Sequence, residues 1–221
     1  MLIEPTIEVG TSMSESLESI EQTPLSDILY SIGQQNQAIK DLFAEGGPRK
    51  AWHAEHADIA RCDLSEEHVH LFPKVGLRII AVWKRTVKGP TLAEIKADDA
   101  MVPRFVNALV PALQSVLGTH LRQGDWAVIT TPRRRHKERN FACMVAEEMA
   151  RRLGVPYRPD VAIARTRQRI GVDFEPGDIP DEANLICFDD FVTTGSTLGA
   201  MNRLLAPRGK NILYIVGVDN Q

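Results

Sequence analysis

The sequence predicts an α/β fold, a parallel sheet with helices on both faces, and three observations predict it. Apolar runs at 126–129, 185–188 and 212–218 have the length and composition of strands buried on both faces. Between them, 141–153 and 198–205 space their apolar residues three and four apart, as one-sided helices do. Strand and helix alternate along this region, which implies right-handed crossovers between parallel strands. Ligands of such sheets bind beyond the carboxyl ends of the strands.

The 221 residues are 43% hydrophobic and 25% charged, the composition of an ordinary globular chain with one core and an extension. A net charge of -3 argues against a nucleic-acid coat or a polybasic membrane binder, so nucleic acid is not the expected partner. No apolar run approaches the roughly 20 residues that span a bilayer, and the acidic, Ser-rich start lacks the pattern of a signal peptide. No membrane partner and a cytoplasmic location are therefore expected. Cys62, Cys143 and Cys187 lie too far apart to suggest a disulfide framework or a Cys-x-x-Cys metal pair.

Taken in order, residues 1–24 read as a disordered acidic tail, with Ser12, Ser14, Ser16 and Ser19 among Glu15, Glu18 and Glu21. Leu25, Ile28, Leu29, Ile32, Ile39, Leu42 and Phe43 form a helical stripe. It serves either as a capping helix or as an arm on a second subunit of a homodimer. Residues 25–96 are read as an N-terminal helix and hood region, and 97–221 as the core. Within the hood, His53, His56, Cys62, His68 and His70 cluster in a polar, loop-like stretch. His53 and His56 would share a helix face, but the other spacings match no zinc motif. Residues 75–83 read as a buried strand, followed by a basic turn through Lys84, Arg85 and Lys88.

From Met101 to Leu121 the helical period is the strongest in the chain, with Pro111 expected to kink it. The strand at 125–131 leads into a Pro-basic segment and then the helix 141–153, which Gly154 should stop. A second strand is expected within 155–164, broken by Pro156 and Pro159. The stretch 165–182 reads as a mobile loop rich in arginine, then in glycine, proline and acids. A last strand follows Pro207-Arg208-Gly209 at 212–218.

The chemistry concentrates at Leu185-Ile-Cys-Phe-Asp-Asp-Phe-Val-Thr-Thr-Gly-Ser-Thr-Leu198. An apolar strand ends in Asp189 and Asp190, and Thr193, Thr194, Gly195, Ser196 and Thr197 form a loop opening a helix. Hydroxyls and unpaired N–H groups at a helix start hold a monophosphate. Two acids beside it suit a ribose diol or a Mg2+ that neutralises a diphosphate. The loop lacks the Lys of the ATP-type cradle, and Ser196 stands one place too early for the Gly-x-Ser-x-Gly elbow. A plain helix cap is the bland alternative, but paired acids and four hydroxyls around one glycine exceed what capping requires.

Residues 185–197 resemble the 5-phosphoribosyl 1-diphosphate (PRPP) binding motif of type I phosphoribosyltransferases, with Cys187 and Phe191 as departures. The order Thr131-Pro132-Arg-Arg-Arg135, then Arg139-Asn-Phe141, then Ala164-Arg-Thr-Arg167 extends the resemblance to the ComF-like, competence-related subgroup. The chain lacks cysteine pairs for that subgroup's zinc ribbon and the glycine of its Arg-Gly-Phe-Asn segment. The resemblance implies a type I phosphoribosyltransferase-like core and transfer of ribose 5-phosphate from PRPP, with Mg2+, to a nitrogen nucleophile. Thr193 stands where 6-oxopurine enzymes carry an acid, which argues against a hypoxanthine or guanine acceptor.

By the same resemblance, Thr193, Thr194, Gly195, Ser196 and Thr197 would hold the 5-phosphate. Asp189 and Asp190 would serve the ribose hydroxyls and Mg2+ as the catalytic acids. The diphosphate would fall to Thr131, Pro132, Arg133, Arg135, Lys137 and Arg139, with Arg165 and Arg167 closing over it. A PRPP-binding regulatory or DNA-uptake-related module without turnover is the alternative from another class.

Overall fold

In the computed structural model, residues 60–132, 140–164 and 174–220 are described. The expectations for the acidic tail, the stripe at 25–43, His53 and His56 lie outside them, as do those for Arg133, Arg135, Lys137, Arg139, Arg165 and Arg167. The elements are β1 (His70–Lys74), β2 (Leu77–Lys84), α1 (Leu92–Ala97), α2 (Met101–Leu117) and α3 (His120–Gln123). There follow β3 (Trp126–Thr130), α4 (Phe141–Leu153), β4 (Tyr157–Arg158), β5 (Ala162–Ile163) and β6 (Glu175–Pro176). The chain ends with β7 (Asn184–Val192), α5 (Ser196–Leu205), a 3-10 turn (Ala206–Arg208) and β8 (Asn211–Asp219).

Six strands form one sheet in the order β1-β2-β8-β7-β3-β4. Every neighbouring pair is parallel except β1 with β2. The predicted α/β fold with helices on both faces is what the chain adopts. Ile80, Val128, Ile186 and Phe188 face one layer with α2 and α4. Ile79, Ile129, Leu185 and Cys187 face the other, with α5. The alternation along β7 follows from the two-residue period of a strand. Both faces being covered explains why its apolar run shows no polar interruption before Asp189.

Several boundaries differ from the sequence reading. The helix expected over 101–121 ends at Leu117, where Gly118 turns the chain (φ 50°), and α3 is a separate short turn. The single strand expected within 155–164 is two short ones. β4 joins β3 in the main sheet, whereas β5 pairs antiparallel with β6 in a ribbon of its own. Pro156 and Pro159 bracket β4, and proline supplies no ladder donor. The strand expected at 75–83 starts at Leu77, because Val75 and Gly76 form the turn of a hairpin with β1, both at positive φ (48° and 74°). β1 and β2 belong to the sheet although they fall in the region read as a hood. By contrast, α4 runs over the expected 141–153, with Asn140 as cap, its side chain accepting from the Cys143 N–H at 3.1 Å, and Gly154 left-handed at its end.

Candidate active site

The connections place the site before any side chain is considered. From β3 the chain leaves through α4 on one face and returns as β4, on the outer side of β3. From β7 it leaves through α5 on the opposite face and returns as β8, in the other direction. The carboxyl ends of β3 and β7, adjacent and parallel, therefore flank a topological switch point, where such sheets open a crevice. Thr131-Pro132 leaves from one side and Asp189 to Thr197 from the other. The Thr131 N–H donates to Phe188 O at 3.4 Å, which sets the two segments side by side at one rim. Thr130, Thr131 and Pro132 are buried there.

Asp190 continues the Ile186, Phe188 series and points to the layer that carries α1 and α2. It is 9% exposed. Its Oδ1 accepts from the Phe191 N–H at 2.9 Å, and its Oδ2 meets Lys96 Nζ at 2.8 Å. Asp189 continues the Leu185, Cys187 series on the α5 face, is half-buried, and accepts from the Asp190 N–H at 3.0 Å. Neighbouring strand residues point to opposite faces, so the two carboxylates do not form a shared cage. A Mg2+ gripped by both does not fit this backbone. One carboxylate plus substrate phosphate oxygens is the donor set that Mg2+ ordinarily takes, and Asp189 suits that set.

The loop after β7 is the candidate anion seat. Gly195 caps α5 from a left-handed conformation (φ 74°) and brings no side chain to the first turn. The Thr194 and Ser196 hydroxyls share a hydrogen bond of 2.8 Å. Thr193 and Thr194 are exposed, while Ser196 and Thr197 are half-buried. N–H groups of the first turn, together with about half a positive charge of helix dipole, favour an anion over this loop.

Three side chains beside these loops were not singled out in the sequence. Lys96 stands in the last turn of α1 and lies 4.6 Å from the centre of the Phe191 ring as well as on Asp190. Its signal was available: Thr91-x-x-Glu94 is a capping box, observed with the Thr91 N–H on Glu94 Oε2 at 2.6 Å and the Glu94 N–H on Thr91 Oγ1 at 3.2 Å. Lys74 and Asp219 face each other at 4.0 Å beside the anion seat. A cavity of about 200 Å³ opens on the β4 side of Pro132, lined by Thr130, Thr131, Cys143, Tyr157 and Asp160. It touches none of Asp189 to Thr197. Burial raises the Tyr157 hydroxyl pKa, so that side chain is neutral, and the carboxylates on the wall are Glu147 and Asp160.

The histidine cluster divides. Cys62 is fully buried, donates to Lys84 O at 3.5 Å, and is pushed up to about pKa 12 by burial and by Asp63. His68 and His70 stack with ring centres 5.6 Å apart. No group of three His, Cys, Asp or Glu side chains among the described residues could hold a metal ion, and none among them forms a helix suited to cross a membrane.

No family model matches the chain, and no curated relative matches it. Among solved structures it is similar to adenine phosphoribosyltransferase from Saccharomyces cerevisiae complexed with an imino-altritol bisphosphate and adenine. That match has a TM-score of 0.42 and 17% identity, over 68% of this chain and 83% of that one. It is also similar to orotate phosphoribosyltransferase from Aeropyrum pernix, with a TM-score of 0.41 and 19% identity, over 61% of this chain and 68% of that one. A third is adenine phosphoribosyltransferase from Leishmania tarentolae, with a TM-score of 0.39 and 12% identity, over 80% of this chain and 94% of that one. Likeness at this level does not carry function, which rests on the residues of this chain.

Proposed function

We propose that this protein binds PRPP at the β3/β7 switch point and transfers ribose 5-phosphate from it to a nitrogen nucleophile, releasing diphosphate. The observation that carries the reading is the pairing of two loops on one rim: an anion seat at the start of α5 preceded by two acids, and Thr131-Pro132 one strand away. A phosphomonoester and a second anionic group joined by a diol match that order of seat, acid and loop. Thr193 to Thr197 hold the 5-phosphate, and Asp190 accepts from the ribose hydroxyls. The Pro132 loop, with Arg133, Arg135, Lys137 and Arg139, takes the diphosphate, and Arg165 and Arg167 close over it.

In the reaction, the bond from C1 to the diphosphate oxygen breaks as the bond from C1 to nitrogen forms on the opposite face. The diphosphate leaves with the bonding electrons and the nucleophile gives up a proton. Charge at C1 is greatest in the oxocarbenium-like transition state, so the protein contributes by position and electrostatics. Asp189 would supply the carboxylate that holds a Mg2+, which would neutralise charge on the leaving diphosphate. The notion of a PRPP-binding module without turnover draws on one contact, Lys96 on Asp190, which neutralises the acid nearest the ribose.

PRPP with Mg2+ at a hundredfold excess over its dissociation constant is expected to stabilise the fold by about 2.7 kcal/mol. Asp190→Asn combined with Thr194→Val is expected to abolish the resulting melting shift and leave the apoprotein folded. A wild-type protein whose melting temperature is indifferent to millimolar PRPP would sink the proposal. Diphosphate release, assayed across a panel of bases and amines, separates turnover from binding.

A further inference from the structure

The β1–β2 hairpin presses its tip onto the candidate phosphate seat. A Cβ built on Gly195 would stand 3.1 Å from Lys74 Cγ, 3.3 Å from Lys74 Cδ and 3.1 Å from Val75 Cγ2, and one on Gly199 would stand 3.5 Å from Val75 Cγ2. Glycine at both positions admits this close approach. The tip is strained: Val75 holds φ at 48°, a left-handed conformation that is an outlier for a β-branched residue. Strain of this kind persists where the surroundings impose it, and it clusters at binding sites.

Behind the tip lies a group of polar side chains without hydrogen bonds to one another. Lys74 is 12% exposed in its side chain, and its ion pair among the described residues, with Asp219 Oδ1, spans 4.0 Å. On the other side of Asp219, His70 Nε2 is 3.6 Å from Oδ2. Both distances exceed a hydrogen bond. Asp219 Oδ1 and His70 Nε2 are buried without a hydrogen-bond partner, and the Asp219 side chain is only 9% exposed. Buried polar groups left in this state cost free energy, so Lys74 gives up no hydrogen bond to Asp219 when its ammonium moves to an anion.

The anion seat has the complementary shortage. Thr193 to Thr197 offer hydroxyls and N–H groups but no cation, whereas a phosphomonoester at neutral pH carries between one and two negative charges. The Lys74 ammonium lies two bonds beyond the Cδ that already touches the seat. We propose that Lys74 is a ligand of the phosphomonoester bound at the start of α5. Its ammonium swings from Asp219 onto the phosphate, and Asp219 with His70 is its resting place. This inference rests on the PRPP reading of the same seat.

Calorimetric titration with ribose 5-phosphate and with Mg2+-pyrophosphate tests it. Lys74→Met is expected to weaken ribose 5-phosphate by about tenfold to a hundredfold, the range of a charge-assisted hydrogen bond. Pyrophosphate affinity should be unchanged, and Lys74→Arg should restore most of the loss. Asp219→Asn, which keeps the buried shape and releases the lysine, should bind ribose 5-phosphate at least as tightly as wild type. Equal ribose 5-phosphate affinity in Lys74→Met and wild type would overturn the role of Lys74 while leaving the PRPP site standing. A parallel loss of pyrophosphate, or a loss in Asp219→Asn equal to that in Lys74→Met, would make the pair a support of the fold and overturn it too. Failure of wild type to bind either ligand would remove the PRPP reading itself.

Discussion

Two acid–lysine pairs stand on neighbouring strands of this rim, and they are built differently. Asp190 and Lys96 meet at 2.8 Å, with the lysine 43% exposed and resting on Phe191. Asp219 and Lys74 stand 4.0 Å apart, both nearly enclosed. The first is a close ion pair between a nearly buried carboxylate and a lysine that stays partly in water, which screens it. The second has lost much of its water without gaining a hydrogen bond in return, and desolvation lowers the Lys74 pKa against the opposing pull of Asp219. Close contact therefore marks the finished interaction, and separation marks the one with work still to do.

The comparison can be broken at the residue that lies between the pairs. A Cβ on Gly217 would stand 2.2 Å from Phe105 Cε1 and 2.8 Å from Asp190 O, so Gly217→Ala forces β8 away from both α2 and β7. A loss of about 3 kcal/mol is expected, at the upper end for overpacking. Denaturant unfolding measures it, and a loss below 1 kcal/mol would mean that the sheet end yields easily. Gly195→Ala is the next smaller change. It puts alanine at φ 74° and a methyl against Lys74 and Val75, with an expected cost of about 1 to 2 kcal/mol and weaker ribose 5-phosphate binding. Unaltered binding would show that the hairpin tip is not part of the seat.

The smallest effects sharpen the contrast by pH. Lys74 holds its proton less tightly folded than unfolded, so between its lowered pKa and the ordinary 10.5 the unfolded chain carries more protons. Stability contributed by this group therefore rises with pH across that window. Lys74→Met should remove this rise, with Asp219 and His70 still facing the site. Lys96→Met should keep it and shift stability by less than about 1 kcal/mol. Melting curves collected from pH 8 to 10.5 distinguish them; identical pH profiles for the two variants would erase the distinction drawn between the pairs.

Local features of this chain were legible because local rules write them. The four apolar residues before Asp189, the Thr-Thr-Gly-Ser-Thr loop and the helix 141–153 between Asn140 and Gly154 follow from period, capping and glycine chemistry within a few positions. Thr91-x-x-Glu94 obeys the same rules and announces α1, although the sequence reading passed over it. β1 was hidden for a different reason. His70-Leu-Phe-Pro-Lys74 carries a proline and an exposed apolar face, which an edge strand tolerates and a central strand does not, so its composition alone reads as loop.

What the sequence by itself determined was the parallel α/β plan and the strand, acids and hydroxyl loop of β7, since each is a statement about residues close together in the chain. The tertiary structure alone decided that Asp189 and Asp190 face opposite layers with different neighbours. It also decided that Lys96 neutralises one acid, and that Lys74 leans from an antiparallel edge strand onto Gly195. Those contacts join segments far apart in sequence, and no periodicity records them. They exist only because strand order and helix placement fold distant residues onto one rim.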